Sequence, residues 1–214
     1  MFLEDSERAA ELAKESGIDA GLHLNFTLPF SKAACPSQLR ERQQKLVSFL
    51  SLHSLARIVF HPGLVSSFDY VVKAQLEEFC RLYGAPPERI DGHHHTHLCA
   101  NVLFGELLPA GTIVRRNFSF QSGEKSFVNR LYRKALDHRL AKRHRIVDYL
   151  FSLLPLEPRG RLERMRSLAR HLVVEVETHP VNPDEYVFLT GEAALQWAGD
   201  VPIARSFAAS KYAS

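Results

Sequence analysis

Cysteine is scarce in this chain: Cys35, Cys80 and Cys99 are the only three in 214 residues, and no two of them form a CxxC pair. An odd, scattered set excludes a disulfide framework and predicts free thiols in a reducing compartment, the cytoplasm by default. No apolar run approaches the ~18 residues that a spanning helix needs, so no membrane span is expected. The N-terminal stretch is charged and alanine-rich instead of basic and then apolar, which is not the pattern of a secretion signal. Repeats, low-complexity tracts and linkers are also missing, and residues 1–214 read as one domain. With 45% hydrophobic and 24% charged residues, such a domain can bury a substantial core.

Nor does one sign of charge dominate, since the formal net charge is +3. Residues 115–145 nevertheless hold ten Lys/Arg against two acids. No aromatic interleaving and no nucleic-acid motif accompany these charges, so they read as a solvated helix face and no nucleic-acid partner is expected.

Histidine is what the chain has in excess. Four of its eleven histidines fall within His93-His94-His95-Thr96-His97, directly after Asp91-Gly92 at the end of an expected strand. Adjacent imidazoles gain nothing as core packing, whereas histidine is the commonest ligand of borderline metals and the usual acid or base near neutral pH. A solvated loop is the alternative reading. His53, His138, His144 and His171 lie among charged residues on expected helices and read as solvent-facing. Phe68, Tyr70, Phe79, Tyr83 and Trp197 read as core in preference to a sugar-stacking platform.

Strands are expected to alternate with helices. A helix capped by Asp5 or Ser6 ends at Gly17, and the period then changes to two over residues 18–27, which puts His23 on the polar face of a strand. Helices are expected over 38–55, 68–83, 101–108, 125–145 and 161–171, and strands over 57–61, 89–91, 112–115 and 172–176. Residues 182–188 read as a loop carrying substrate contacts. The alternation predicts an α/β fold with polar groups gathered at strand ends.

Three segments carry a family resemblance: Gly21-Leu22-His23-Leu24, then Ala74-Gln75-Leu76-Glu77-Glu78-Phe79 followed by Asp91-Gly92-His93-His94-His95-Thr96-His97, and finally Thr178-His179-Pro180. In this order they resemble the YdjC-like carbohydrate deacetylases, over residues 1–189 and most strongly at 18–27 and 73–98. The resemblance implies a distorted TIM-like (β/α) barrel that removes acetyl groups from N-acetylated amino sugars with one divalent metal ion, zinc or magnesium. By motif, His23 and His93 would be metal ligands, and His179, His95 and His97 would serve catalysis in the same pocket. Asn25, Asp91 and Arg115 would face the substrate, with Asp91 also orienting a histidine.

The family's Asp-Asp strand, which supplies the metal's carboxylate and the water-activating base, has no counterpart after residue 1. The resemblance therefore implies a barrel lacking its first βα unit, whether through a fragment, a start-site artefact or lost catalysis. Exposed strand edges would leave room for a homo-oligomer. Asp91, Glu175, Glu177 or Asp184 could stand in for the carboxylate. Two further readings stay open: a noncatalytic sugar-binding or assembly relative, and a metallophosphoesterase of the polymerase-and-histidinol-phosphatase type, where Asp-Gly-His-x-His also begins metal sites.

Overall fold

A computed structural model of the chain describes residues 1–52, 54–204 and 206. Helices α1 (Ser6–Glu15), α2 (Ser37–Leu52), α3 (Val65–Tyr83), α4 (Ala100–Phe104), α5 (Phe127–Ala141), α6 (Gly160–Ala169), α7 (Pro183–Thr190) and α8 (Glu192–Ala198) accompany strands β1 (Leu22–Leu24), β2 (Arg89–Gly92), β3 (Ile113–Val114), β4 (Tyr149–Ser152) and β5 (Val174–Glu177). The fold class is α/β. The strands form two parallel sheets, β1-β2-β3 and β4-β5, and no closed barrel is found among the described residues. The chain divides into two compact units: residues 1–115 with 139–145, and residues 116–138 with 146–214.

In the first unit, Leu22 and Leu24 are fully buried while His23 between them is exposed, as the period-two pattern predicts. Phe26, Leu39, Leu46, Phe68, Ile90 and Val114 complete the core, with the Phe26 and Phe68 rings 5.4 Å apart edge to face. The strands lie close. A Cβ on Gly21 would come within 3.0 Å of the Arg89 carbonyl oxygen, which explains the glycine ahead of His23. Helix α3 stops at Gly84, whose φ of 79° is the left-handed conformation that ends helices.

In the second unit, β4 and β5 pair along Tyr149 to Ser152, and Phe151, Leu153, Leu162 and Met165 form the core. Trp197 packs partly buried against that cluster and donates its indole N–H to the Leu162 carbonyl at 2.9 Å. On the basic stretch, Asp137 turns inward to accept from Arg116 at 2.8 Å and from the Asn117 backbone at 3.0 Å, while Lys125 and Lys134 are exposed.

Several expected elements differ. Residues 57–61 form no strand, because the Asn101 carboxamide takes both backbone groups of His61, each at 2.9 Å. Residues 182–188 are not a loop but the start of α7, with Asn182 capping Asp184 N at 3.0 Å and Pro183 in the first turn. Strand β4 was not anticipated, since its unbroken Tyr-Leu-Phe run shows no alternation. Among the helix-assigned histidines, His138 and His171 are exposed and His144 is half-buried; His53 lies outside the described residues.

Candidate functional site

The β1-β2 register places His23 directly opposite Asp91, so both side chains leave the same face of the sheet. His23 Nδ1 and Asp91 Oδ1 stand 2.8 Å apart, and Arg115, one residue beyond β3, reaches Asp91 Oδ2 at 2.6 Å. Because a carboxylate only accepts, His23 donates through Nδ1, which makes Nε2 the nitrogen that carries the lone pair whenever the ring is neutral. Burial works to raise the Asp91 carboxyl, but the His23 hydrogen bond and the Arg115 guanidinium outweigh it and hold the group at about 2. Asp91 is thus an anion that orients a half-exposed imidazole, the usual arrangement behind a metal-ligating histidine.

His93 follows β2 and its ring lies 5.9 Å from that of His23. Its Nδ1 meets Thr27 Oγ1 at 2.6 Å, and burial, with the neighbouring His94, pushes its pKa down, favouring the neutral ring. The run then turns sharply: His94 and His95 both adopt left-handed backbone, with φ of 52° and 57°. Two successive non-glycine residues in this region cost about 1–2 kcal/mol each, a strain that proteins concentrate at functional sites. Arg57, which the sequence did not single out, donates to the His94 carbonyl at 2.9 Å and holds the turn.

The remaining histidines part company. His95 is half-buried, its ring 6.1 Å from that of His97. His97 is completely buried, so it does not line an open pocket as expected. Its Nε2 donates to the Arg115 carbonyl at 2.8 Å, its Nδ1 has no partner among the described residues, and burial pushes its pKa down to about 4. Gly92 is what admits it: a Cβ there would sit 3.0 Å from His97 Cβ. His97 serves as a neutral buttress between the turn and the end of β3.

Asn25 also has a place other than the expected substrate contact. It is 4% exposed, and its carboxamide accepts from Thr27 N and Leu28 N at 3.1 and 2.9 Å while donating to Leu28 O at 2.8 Å. The fully buried Gln75 of α3 accepts from Asn25 N at 2.8 Å and donates to Asn25 O at 3.3 Å. The glutamine of the Ala-Gln-x-x-x-Phe motif therefore pins the chain where β1 leaves the sheet.

His179 belongs to the second unit, just after β5, and is exposed. Its backbone N–H donates to the buried carboxylate of Glu185, whose other oxygen is 4.0 Å from His179 Nδ1. Glu185 was not anticipated, although Asn182-Pro183-Asp184-Glu185 is a helix-start signature with an acid at its fourth position. Glu175 and Glu177 lie on β5 of this same unit.

Among the described residues, no three or more His, Cys, Asp or Glu side chains are grouped so as to hold a metal ion. The His23 and His93 rings are the two imidazoles that stand together on this face, and Asp91 is committed to His23 and Arg115. A small cavity of about 80 Å³, lined by Val102, Leu108, Leu140 and His144, involves none of these groups.

The family model described as "YdjC-like protein" matches residues 1–206. The chain is 33% identical over 95 residues to a chitooligosaccharide deacetylase of Proteus mirabilis (strain HI4320), covering 44% of this chain and 36% of that protein. It is 31% identical over 109 residues to a carbohydrate deacetylase of Danio rerio, covering 48% and 34%, and 31% identical over 113 residues to one of Mus musculus, covering 49% and 35%. The matched stretch thus spans about a third of the length of these curated relatives. No solved structure matches the chain.

Proposed function

The chain belongs to the YdjC-like family, and from that premise we propose that it carries the site of a metal-dependent hydrolase that removes acetyl groups from N-acetylated amino sugars or their oligomers. The observation that carries this reading is the His23-Asp91-Arg115 chain with His93 beside it, gathered at the carboxyl ends of adjacent parallel strands. The relatives, a chitooligosaccharide deacetylase and two carbohydrate deacetylases, support the substrate class.

A divalent ion, zinc or magnesium, would when bound activate water and polarise the amide carbonyl. His23 and His93 would hold it through Nε2, and two imidazoles suit zinc better than magnesium. Asp91 keeps Nδ1 of His23 protonated and so keeps its Nε2 free to bind. Arg115 neutralises Asp91 and stops that carboxylate from drawing a proton to itself. His95 is assigned to the same pocket. The distorted TIM-like barrel and a cytoplasmic location belong to this proposal too; parallel strands alternating with helices support the first, and three free cysteines the second. A noncatalytic sugar-binding relative is the second reading, favoured by the absence of a third grouped donor among the described residues.

The test joins zinc content to acetate release. About one zinc per chain, lost in both His23→Ala and His93→Ala with the circular dichroism unchanged, and acetate released from N-acetylglucosamine oligomers by the wild type, is the expected result. Sugar binding without zinc or acetate release would select the noncatalytic reading.

A further inference from the structure

The two histidines are held in different ways. His23 faces a carboxylate, which dictates its tautomer, whereas the Nδ1 of His93 faces the hydroxyl of Thr27 at 2.6 Å. A hydroxyl can donate or accept, so the hydrogen bond alone leaves the tautomer of His93 open. The surroundings of Thr27 fix where that hydroxyl stands. Its backbone N–H is bound to Asn25 Oδ1 at 3.1 Å, Asn25 is itself locked by Gln75, and both Asn25 and Gln75 are buried. Thr27 is thus presented to His93 from a turn held by Asn25 within it and by Gln75 of α3. His93 is fixed from its other side as well, since Thr96 Oγ1 donates to the His93 carbonyl at 2.7 Å.

We infer that Thr27 is a positioning residue for His93: its oxygen accepts from His93 Nδ1–H, so that the lone pair of His93 sits on Nε2, as it does in His23. The Gln75-Asn25-Thr27 chain then has a functional end. A glutamine buried on α3 specifies, through a turn and a hydroxyl, which nitrogen of a histidine is available. The placement of Thr27 stands on the hydrogen bond itself; the choice of Nδ1–H rests on the reading of His93 as a metal ligand, and the tautomer is a property of the metal-free protein and is measured there.

Ring ¹⁵N chemical shifts of His93 in the metal-free full chain, above its titration range, report the tautomer directly. The expected result is a protonated Nδ1 in the wild type, a mixture of tautomers in Thr27→Val, which nearly conserves shape, and recovery in Thr27→Ser, which retains the hydroxyl. Zinc titration of the same proteins is expected to show about 10–100-fold weaker binding in Thr27→Val, the usual effect of losing a ligand's outer hydrogen-bond partner. A wild-type His93 protonated at Nε2, or one whose tautomer is indifferent to Thr27→Val, overturns the inference. A Thr27-dependent tautomer in a wild type that takes up no zinc upholds the positioning role and overturns only the metal reading.

Discussion

At Asp91 two opposite pulls meet: burial raises a carboxyl, the His23 hydrogen bond and Arg115 lower it, and the balance stands at about 2. A folded-state value below the unfolded one, near 3.9, means that this group stabilises the fold above about pH 4 and loses that contribution as pH falls toward 2. Asp91→Asn also takes from the largely buried Arg115 the carboxylate that stands 2.6 Å away. We expect it to cost about 3–5 kcal/mol at pH 7, read from urea midpoints, with the deficit shrinking below about pH 3. An unchanged midpoint would refute the role of the pair. His97 has the opposite charge type and the same sign of linkage. Burial depresses it to about 4, so the unfolded chain takes up its proton first, and stability drains away between about pH 6.5 and 4 by about 3 kcal/mol. His97→Gln should flatten that part of the pH–stability curve, and a slope equal to the wild type's would show that His97 does not cause it. His23, His93 and Asp91 were legible as chemistry-bearing residues because their spacing and type are visible in one dimension. Burial is not, which is why His97 read as a pocket residue and proves to be a buttress.

At the scale of elements, the junction of α3 with the end of β1 decides where the site sits. Gln75 is fully buried and bonded to both backbone groups of Asn25, a substitute for ladder bonds where β1 leaves the sheet. Gln75→Leu would strand the Asn25 N–H in the core. The expected cost is about 1–3 kcal/mol for the unsatisfied donor, together with faster exchange of the Asn25 amide. Retained protection of that amide would show that the turn holds without the glutamine. The long amphipathic helices α1, α2 and α3 were readable from their 3.6-residue period and end signals, whereas the strands were readable only as centres. Residues 18–27 alternate throughout, yet only Leu22 to Leu24 form a strand, because β2 supplies a partner only there and Asn25 then closes a side-chain-capped turn. Residues 57–61 failed for the same reason, since a strand exists only where a neighbour completes its hydrogen bonds.

Across the whole molecule, the three cysteines form no disulfide: Cys35 and Cys99 are buried, Cys80 is half-buried, and burial pushes the Cys99 thiol up to about 12. A thiol reagent should therefore modify Cys80 first in the native protein and all three only after denaturation, with no change in thermal midpoint on adding reductant. Rapid native modification of Cys99 would contradict its burial. No helix among the described residues is long and apolar enough to cross a membrane, as the absence of apolar runs indicated. The sequence by itself determined the α/β alternation, the histidine-rich strand end and the family motifs, because period, composition and spacing are properties of the chain alone. The tertiary structure alone decided that His23 faces Asp91, that Arg115 completes the pair, that His97 is sealed beneath the turn, and that Gln75 steers Thr27 toward His93. Those relations depend on strand register and on which polar groups burial forces into partnership, and both are settled only when distant segments pack.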